Sequence, residues 1–175
     1  MAFDTSTVLQ AYDGELFSAG YGVALPPDLT TALDPLFLGV GWITEDGLVF
    51  DPALSSEDAI KGWPRGEILL KPASTLEPTF QFSLAQHDTT TLDWIVDPSR
   101  QLSLVLEYRA TPTSDTYRLV LPKVKISESG EMPFNISDLI STEITVSCER
   151  DDVAGYTFAF IIPDPSGVGF IMKSY

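Results

Sequence analysis

The segment "LSLVLEY", residues 102–108, decides the fold class. In an extended chain successive side chains point to opposite faces. Leu102, Leu104, Leu106 and Tyr108 therefore share one face. "FQFSL" at 80–84 repeats the pattern with Phe80, Phe82 and Leu84, and "YRLVL" at 117–121 and "ITVSC" at 144–148 repeat it again. "YTFAFII" at 156–162 places Tyr156, Phe158, Phe160 and Ile162 together. Period-two alternation of β-branched and aromatic residues marks half-buried strands of antiparallel sheets. The chain reads as mainly β, a sandwich or a partly closed antiparallel barrel with long loops.

Its 175 residues suit one domain with a sizeable core, and 44% hydrophobic content against 20% charged excludes a disordered chain. The 13 prolines and 12 glycines are spread along the sequence, as many short elements require. One short helix is expected at Thr90–Val96, with Leu92, Ile95 and Val96 at helical spacing and a Thr90/Asp93 cap. Pro98 stops it, because the residue before a proline avoids helix. A second helical turn is expected at Ser55–Lys61. Asp51–Ser74 otherwise reads as a long loop lacking strand pairing of its own, save a short strand near Ile68–Leu70. Ser127–Ser141 is a second long connection. Residues 1–20 are expected to form a flexible N-terminal segment of a single domain spanning 1–175.

The net charge is −15, and all ten charged residues before Lys61 are acidic. Such a surface repels nucleic-acid phosphates. The one cysteine, Cys148, excludes an intrachain disulfide, which fits assembly in a reducing compartment. The start of the chain lacks the basic and apolar regions of a signal peptide, and no run reaches membrane-spanning length.

Catalytic groups are scarce. His87 is the sole histidine and suits a capping or surface role; Cys148 lies on the Ile144/Val146 face and suits a buried, inert thiol. One His and one Cys cannot build a zinc-type cluster. The pairs Glu45/Asp46, Glu57/Asp58 and Asp151/Asp152 lack the alternating oxygen ligands of a calcium loop and read as solvated turns. No phosphate loop or dinucleotide fingerprint occurs. No enzyme, cofactor or metal is expected; a glycosidase built on a carboxylate pair is the weakest alternative. In "VGWITEDGLVF", 40–50, Asp46-Gly47 between apolar flanks is a tight-turn signal and predicts a hairpin tip.

The order of segments resembles the phage major tail proteins, tail tube subunits of long, non-contractile-tailed phages. The residues that carry the resemblance are Leu25, Pro26 and Thr30–Asp34, then Gly41, Trp42 and Glu45–Gly47. "DAIKGW" at 58–63, "TFQFSL" at 79–84, "RLVLPKVKISESGE" at 118–131 and "EITVSC" at 143–148 continue it. Trp63-Pro64-Arg65-Gly66 departs from the family's tryptophan-glycine-glycine. The resemblance implies hexameric rings stacked into a tube, each subunit's sheet joining its neighbours' around a channel that DNA crosses without specific binding. It further implies a virion protein, assembled in the bacterial host cytoplasm, whose partners are other copies, tape measure, tail terminator and tail tip proteins. Contacts between subunits or rings are then expected at Trp42, Glu45, Asp46, Glu57, Asp58, Lys61, Trp63 and Arg65, with the Asp51–Ser74 loop bridging rings. The alternative is a β-sandwich module binding carbohydrate or another ligand. With Trp42 in strand core and Trp94 in helix core, only Trp63 would remain there to stack on a sugar.

Overall fold

The computed structural model describes residues 10–52, 54–55, 60–61, 68–70, 75–86, 89–111, 115–132, 140–164 and 169–175. The long strands are β1 (Gln10–Gly20), β3 (Ile43–Asp51), β8 (Thr79–Leu84), β9 (Leu102–Thr111), β10 (Asp115–Ser129), β11 (Thr142–Cys148), β12 (Ala159–Pro163) and β13 (Phe170–Ser174). Between them lie the short β2 (Leu38–Gly39), β4 (Leu54–Ser55), β5 (Ile60–Lys61), β6 (Ile68–Leu70) and β7 (Thr75–Leu76), and the helix α1 (Thr89–Val96).

One antiparallel sheet dominates, in the order β2-β1-β9-β10-β11-β8-β3, and curls into a half-barrel. The mainly β expectation with one short helix is met. β10 is the pivot. Its first half pairs with β12 through Arg118, Leu119 and Val120, and its second half pairs with β11 from Val124 onward. The change of partner falls at Pro122, where the β9 ladder shifts register between Leu121 and Val124. Proline has no N–H to give the ladder, so a bulge there bends the sheet at little cost. The Ser103 hydroxyl donates to the Pro122 carbonyl at 2.7 Å and ties the bend to β9. β12 and β13 form a ribbon that leaves the main path at this point.

Curling gives the sheet two buried faces. The inner face holds Leu16, Phe80, Phe82, Leu84, Leu102, Leu104, Leu119, Leu121, Ile144 and Val146, closed by Trp94 of α1. The outer face holds Ala19, Phe37, Val105, Val120 and Ile161, covered by Val23, Leu25, Leu29 and Leu33 from the loop after β1. Alternation therefore identifies the strands, yet the second face of β9 and β10 is buried too.

Several expectations are corrected. Gln10–Gly20 is not a flexible terminus but a strand paired along its length with β9; residues 1–9 lie outside the described residues. The strand expected at 156–162 starts at Ala159. Ser55 and Ile60–Lys61 are strand rather than a helical turn, and Asp51–Ser74 contributes to two small ladders, β4-β7 and β5-β6. In α1 the apolar spacing misleads: Leu92 and Val96 are exposed, while Trp94 and Thr91 are buried. The helix begins at Thr89, so Thr90 is not its cap. Its stop holds: Val96 is the last residue, and Asp97 Oδ1 accepts from the Ser99 hydroxyl at 2.6 Å.

Candidate functional site at the open seam of the sheet

β1 and β3 sit towards opposite ends of the curled sheet, and the half-barrel leaves a seam between them. The seam is closed at one end by the chain itself. Val40 donates to the Leu16 carbonyl at 2.8 Å, and two residues later the Trp42 carbonyl accepts from Ala85 at 2.9 Å. Residues 40–42 thus cross from the edge of β1 to the edge of β8. Gly41 makes the crossing at φ 92°, and a Cβ there would meet the Gln86 side chain at 2.9 Å. The left-handed backbone favours glycine there, while the flexible end of the Gln86 side chain has room to yield.

Beyond the closure the strands diverge. A groove of about 560 Å³ lies between them, lined by Leu16, Leu106 and Tyr108 on one wall and Ile43, Thr44 and Leu48 on the other, with Trp42 at its rim. β2 pairs with β1 only at Phe17 and Ser18, and Val40 takes the Leu16 carbonyl, so Gln10–Glu15 has no ladder partner on that side among the described residues. Among the described residues β3 pairs with β8 alone. Both walls therefore present unpaired backbone, a surface prone to accept a further strand. Thr44 Oγ1 is buried there with no hydrogen-bond partner among the described residues.

The expected contact residues fall as follows. Trp42 is at the seam and 77% exposed, which overturns its placement in strand core. Glu45 and Asp46 lie within β3. From Ile43 to Leu48 that strand advances five residues while β8 advances two, from Leu84 to Phe82, and Gly47 takes φ 73°. Asp46-Gly47 thus marks a large bulge within one strand, not the tip of a hairpin. Lys61 lies in β5, away from the seam in the chain. Glu57, Asp58, Trp63 and Arg65 lie outside the described residues, as does His87.

Chemistry elsewhere is sparse. Among the described residues no three His, Cys, Asp or Glu side chains gather as a metal site, and no helix is long and apolar enough to cross a membrane. Cys148 is buried, and desolvation pushes its thiol up to about 12, which leaves it without thiolate character. Asp151 is buried rather than solvated; its carboxylate accepts from the Tyr21 hydroxyl at 3.0 Å and from the Val153 amide at 2.9 Å. Lys123 and Lys125 both reach Glu149, at 2.9 and 2.8 Å. These contacts fasten loops and strands to one another.

No known family profile matches the chain, and no curated protein matches it. Among solved structures the chain is similar to one in the six-fold symmetrised cryo-EM baseplate of the anti-feeding prophage, at 10% identity over 83% of this chain and 92% of that one, with TM-score 0.42. It is also similar to the crystal structure of an Hcp protein, at 9% identity over 93% of this chain and 98% of that one, with TM-score 0.40. At these values the likeness carries no functional assignment.

Sequence reasoning missed other exposed apolar residues at the edges. Leu36 and Leu38 stand out at β2, Val49 at β3, and Phe170 and Met172 at β13. Strand alternation places a residue on a face; it carries no signal for which strands end a sheet.

Proposed function

We propose that the chain is a tail tube subunit whose copies close head-to-tail into hexameric rings that stack around a channel for DNA. The observation that carries this reading is the open seam, where the free edges of β1 and β3 meet exposed Trp42 and Val49. Unpaired edges with apolar side chains are an aggregation hazard in a lone domain. A ring of copies covers them, and stacking extends the ring into a tube. The ordered sequence resemblance to phage major tail proteins supports the same reading. The charge of −15 fits a channel through which DNA slides without phosphate contacts. In this reading the protein is a virion component rather than an enzyme. It meets tape measure, terminator and tip proteins, and Asp51–Ser74 bridges successive rings.

Negative-stain images of concentrated protein, with and without tail-tip material, test the proposal. Rings or tubes are expected; a monomer under every condition, tip material included, refutes it. Deleting Glu57–Arg65 is expected to stop tube growth while rings and the circular dichroism spectrum persist.

Exposed Trp42 beside a groove favours one other reading, a carbohydrate- or ligand-binding module, since an exposed indole stacks on sugar rings. A glycan array that yields no binder removes it.

A further inference from the structure

The walls of the seam are two-sided. Leu16, opposite Leu106, and Gly14, opposite Tyr108, lie on the inner, apolar face of β1. Asp13 and Glu15 lie on the other face, opposite Arg109 and Glu107. Arg109 reaches Asp13 only at 4.0 Å, and Arg118 engages Glu107 at 2.6 Å, which leaves Glu15 exposed and outside the ion pairs of the described residues. A strand that continues β1 outward must then be apolar on one face and basic on the other.

β13 offers an apolar face and a lysine on the other. Phe170 and Met172 share one face and are exposed. Ile171 and Lys173 share the other, where Lys173 stands opposite Phe160. Lys173 is exposed and outside the ion pairs of the described residues. Among the described residues β13 pairs only with β12, which leaves its far edge open as well.

We infer that the seam of one copy receives the free edge of β13 from a second copy, Lys173 facing Glu15 and Phe170 and Met172 facing the inner wall. This rests on the tube reading and names the surfaces by which its subunits mate. Two features are satisfied at once: open edges on both sides, and an apolar face and a lysine on the docked strand set against the apolar wall and Glu15. The contact is head-to-tail, with different patches on the two copies, and is therefore able to close a ring.

Charge reversal tests it, read by sedimentation velocity and negative stain. Lys173→Glu is expected to raise the concentration needed for assembly about tenfold, as loss of one interfacial charge pair implies. Glu15→Lys alone is expected to impair assembly similarly, and the double variant to recover most of it. Arg150→Glu changes the net charge equally at another exposed position and is expected to assemble as the parent does. Circular dichroism checks that each variant folds. If Lys173→Glu assembles like Arg150→Glu, or the double variant recovers nothing, the β13 contact is overturned while the tube reading stands. The same holds if only Glu15→Lys impairs assembly, because a different segment then fills the seam. A parent that never self-associates, even with tail-tip material, overturns both.

Discussion

Arg118 Nε donates to Glu107 Oε1 at 2.6 Å, across adjacent strands β10 and β9, with the arginine side chain 6% exposed and the glutamate 27%. The same guanidinium donates through Nη1 to the Thr31 carbonyl at 2.8 Å and to the Asp28 carbonyl. One planar group therefore joins two strands to the loop that covers the outer core. Asp28 in turn accepts from the Thr30 amide at 2.8 Å and shapes that loop.

Arg118→Ala strands a half-buried carboxylate and two carbonyls, and is expected to cost about 3 kcal/mol. Arg118→Lys is expected to recover less than half of it, because an ammonium lacks the fork that reaches three acceptors. Urea denaturation of the three proteins measures both.

Trp94 is the one described α1 aromatic in the inner core, edge-on to Phe82 at 6.3 Å between ring centroids. Trp94→Ala is expected to cost about 3–5 kcal/mol through the cavity it leaves. Leu92→Ala, on the exposed side of the same helix, is expected to stay within about 0.5 kcal/mol. Equal effects from the two would show that the helix docks by its other face.

Gly47 holds left-handed backbone in the β3 bulge, with open space around the position of a Cβ. Gly47→Ala is therefore expected to cost about 1–2 kcal/mol from the backbone alone, and Gly47→Asn less. A thermal melt that leaves the alanine variant unchanged would exclude this conformation.

Stability is expected to fall in acid through three carboxylates. Asp28 is held below the ordinary range by the Thr31 and Thr30 groups that donate to it, and Glu149 by Lys125 and Lys123. For Asp151 burial opposes the charge, but the Val153 and Ala154 amides and the Tyr21 hydroxyl outweigh it and hold it low. A folded pKa below the unfolded one adds stability above the unfolded value, and that stability is lost as pH falls through the folded one. The midpoint of thermal unfolding should thus drop steeply below about pH 4. Asp151→Asn should lower the midpoint at pH 7 and make the drop from pH 7 to pH 3 shallower. An unchanged slope would remove Asp151 from the acid response.

The sequence by itself determined that the chain is mainly β, where strands β8 and β11 run, that one short helix stops before Pro98, and that Cys148 is inert. These follow from local rules: alternation, turn chemistry and the restriction that proline places on its neighbour. Tertiary structure decided the rest. Trp42 is a large apolar residue, yet it stands exposed because it lies in the crossing that closes one end of the open seam. Asp46-Gly47 has the signature of a hairpin, yet it becomes a bulge because β3 finds its partner in β8, a strand distant in sequence. Trp94 displaces Leu92 from the core because the aromatic inner face of β8 fixes which side of the helix is covered. Arg118 is charged and still buried, because the loop carbonyls that satisfy it come from far along the chain. Spacing along one segment is blind to such partners. The open seam depends on them most of all, since an edge exists only where the whole sheet leaves a strand unpaired.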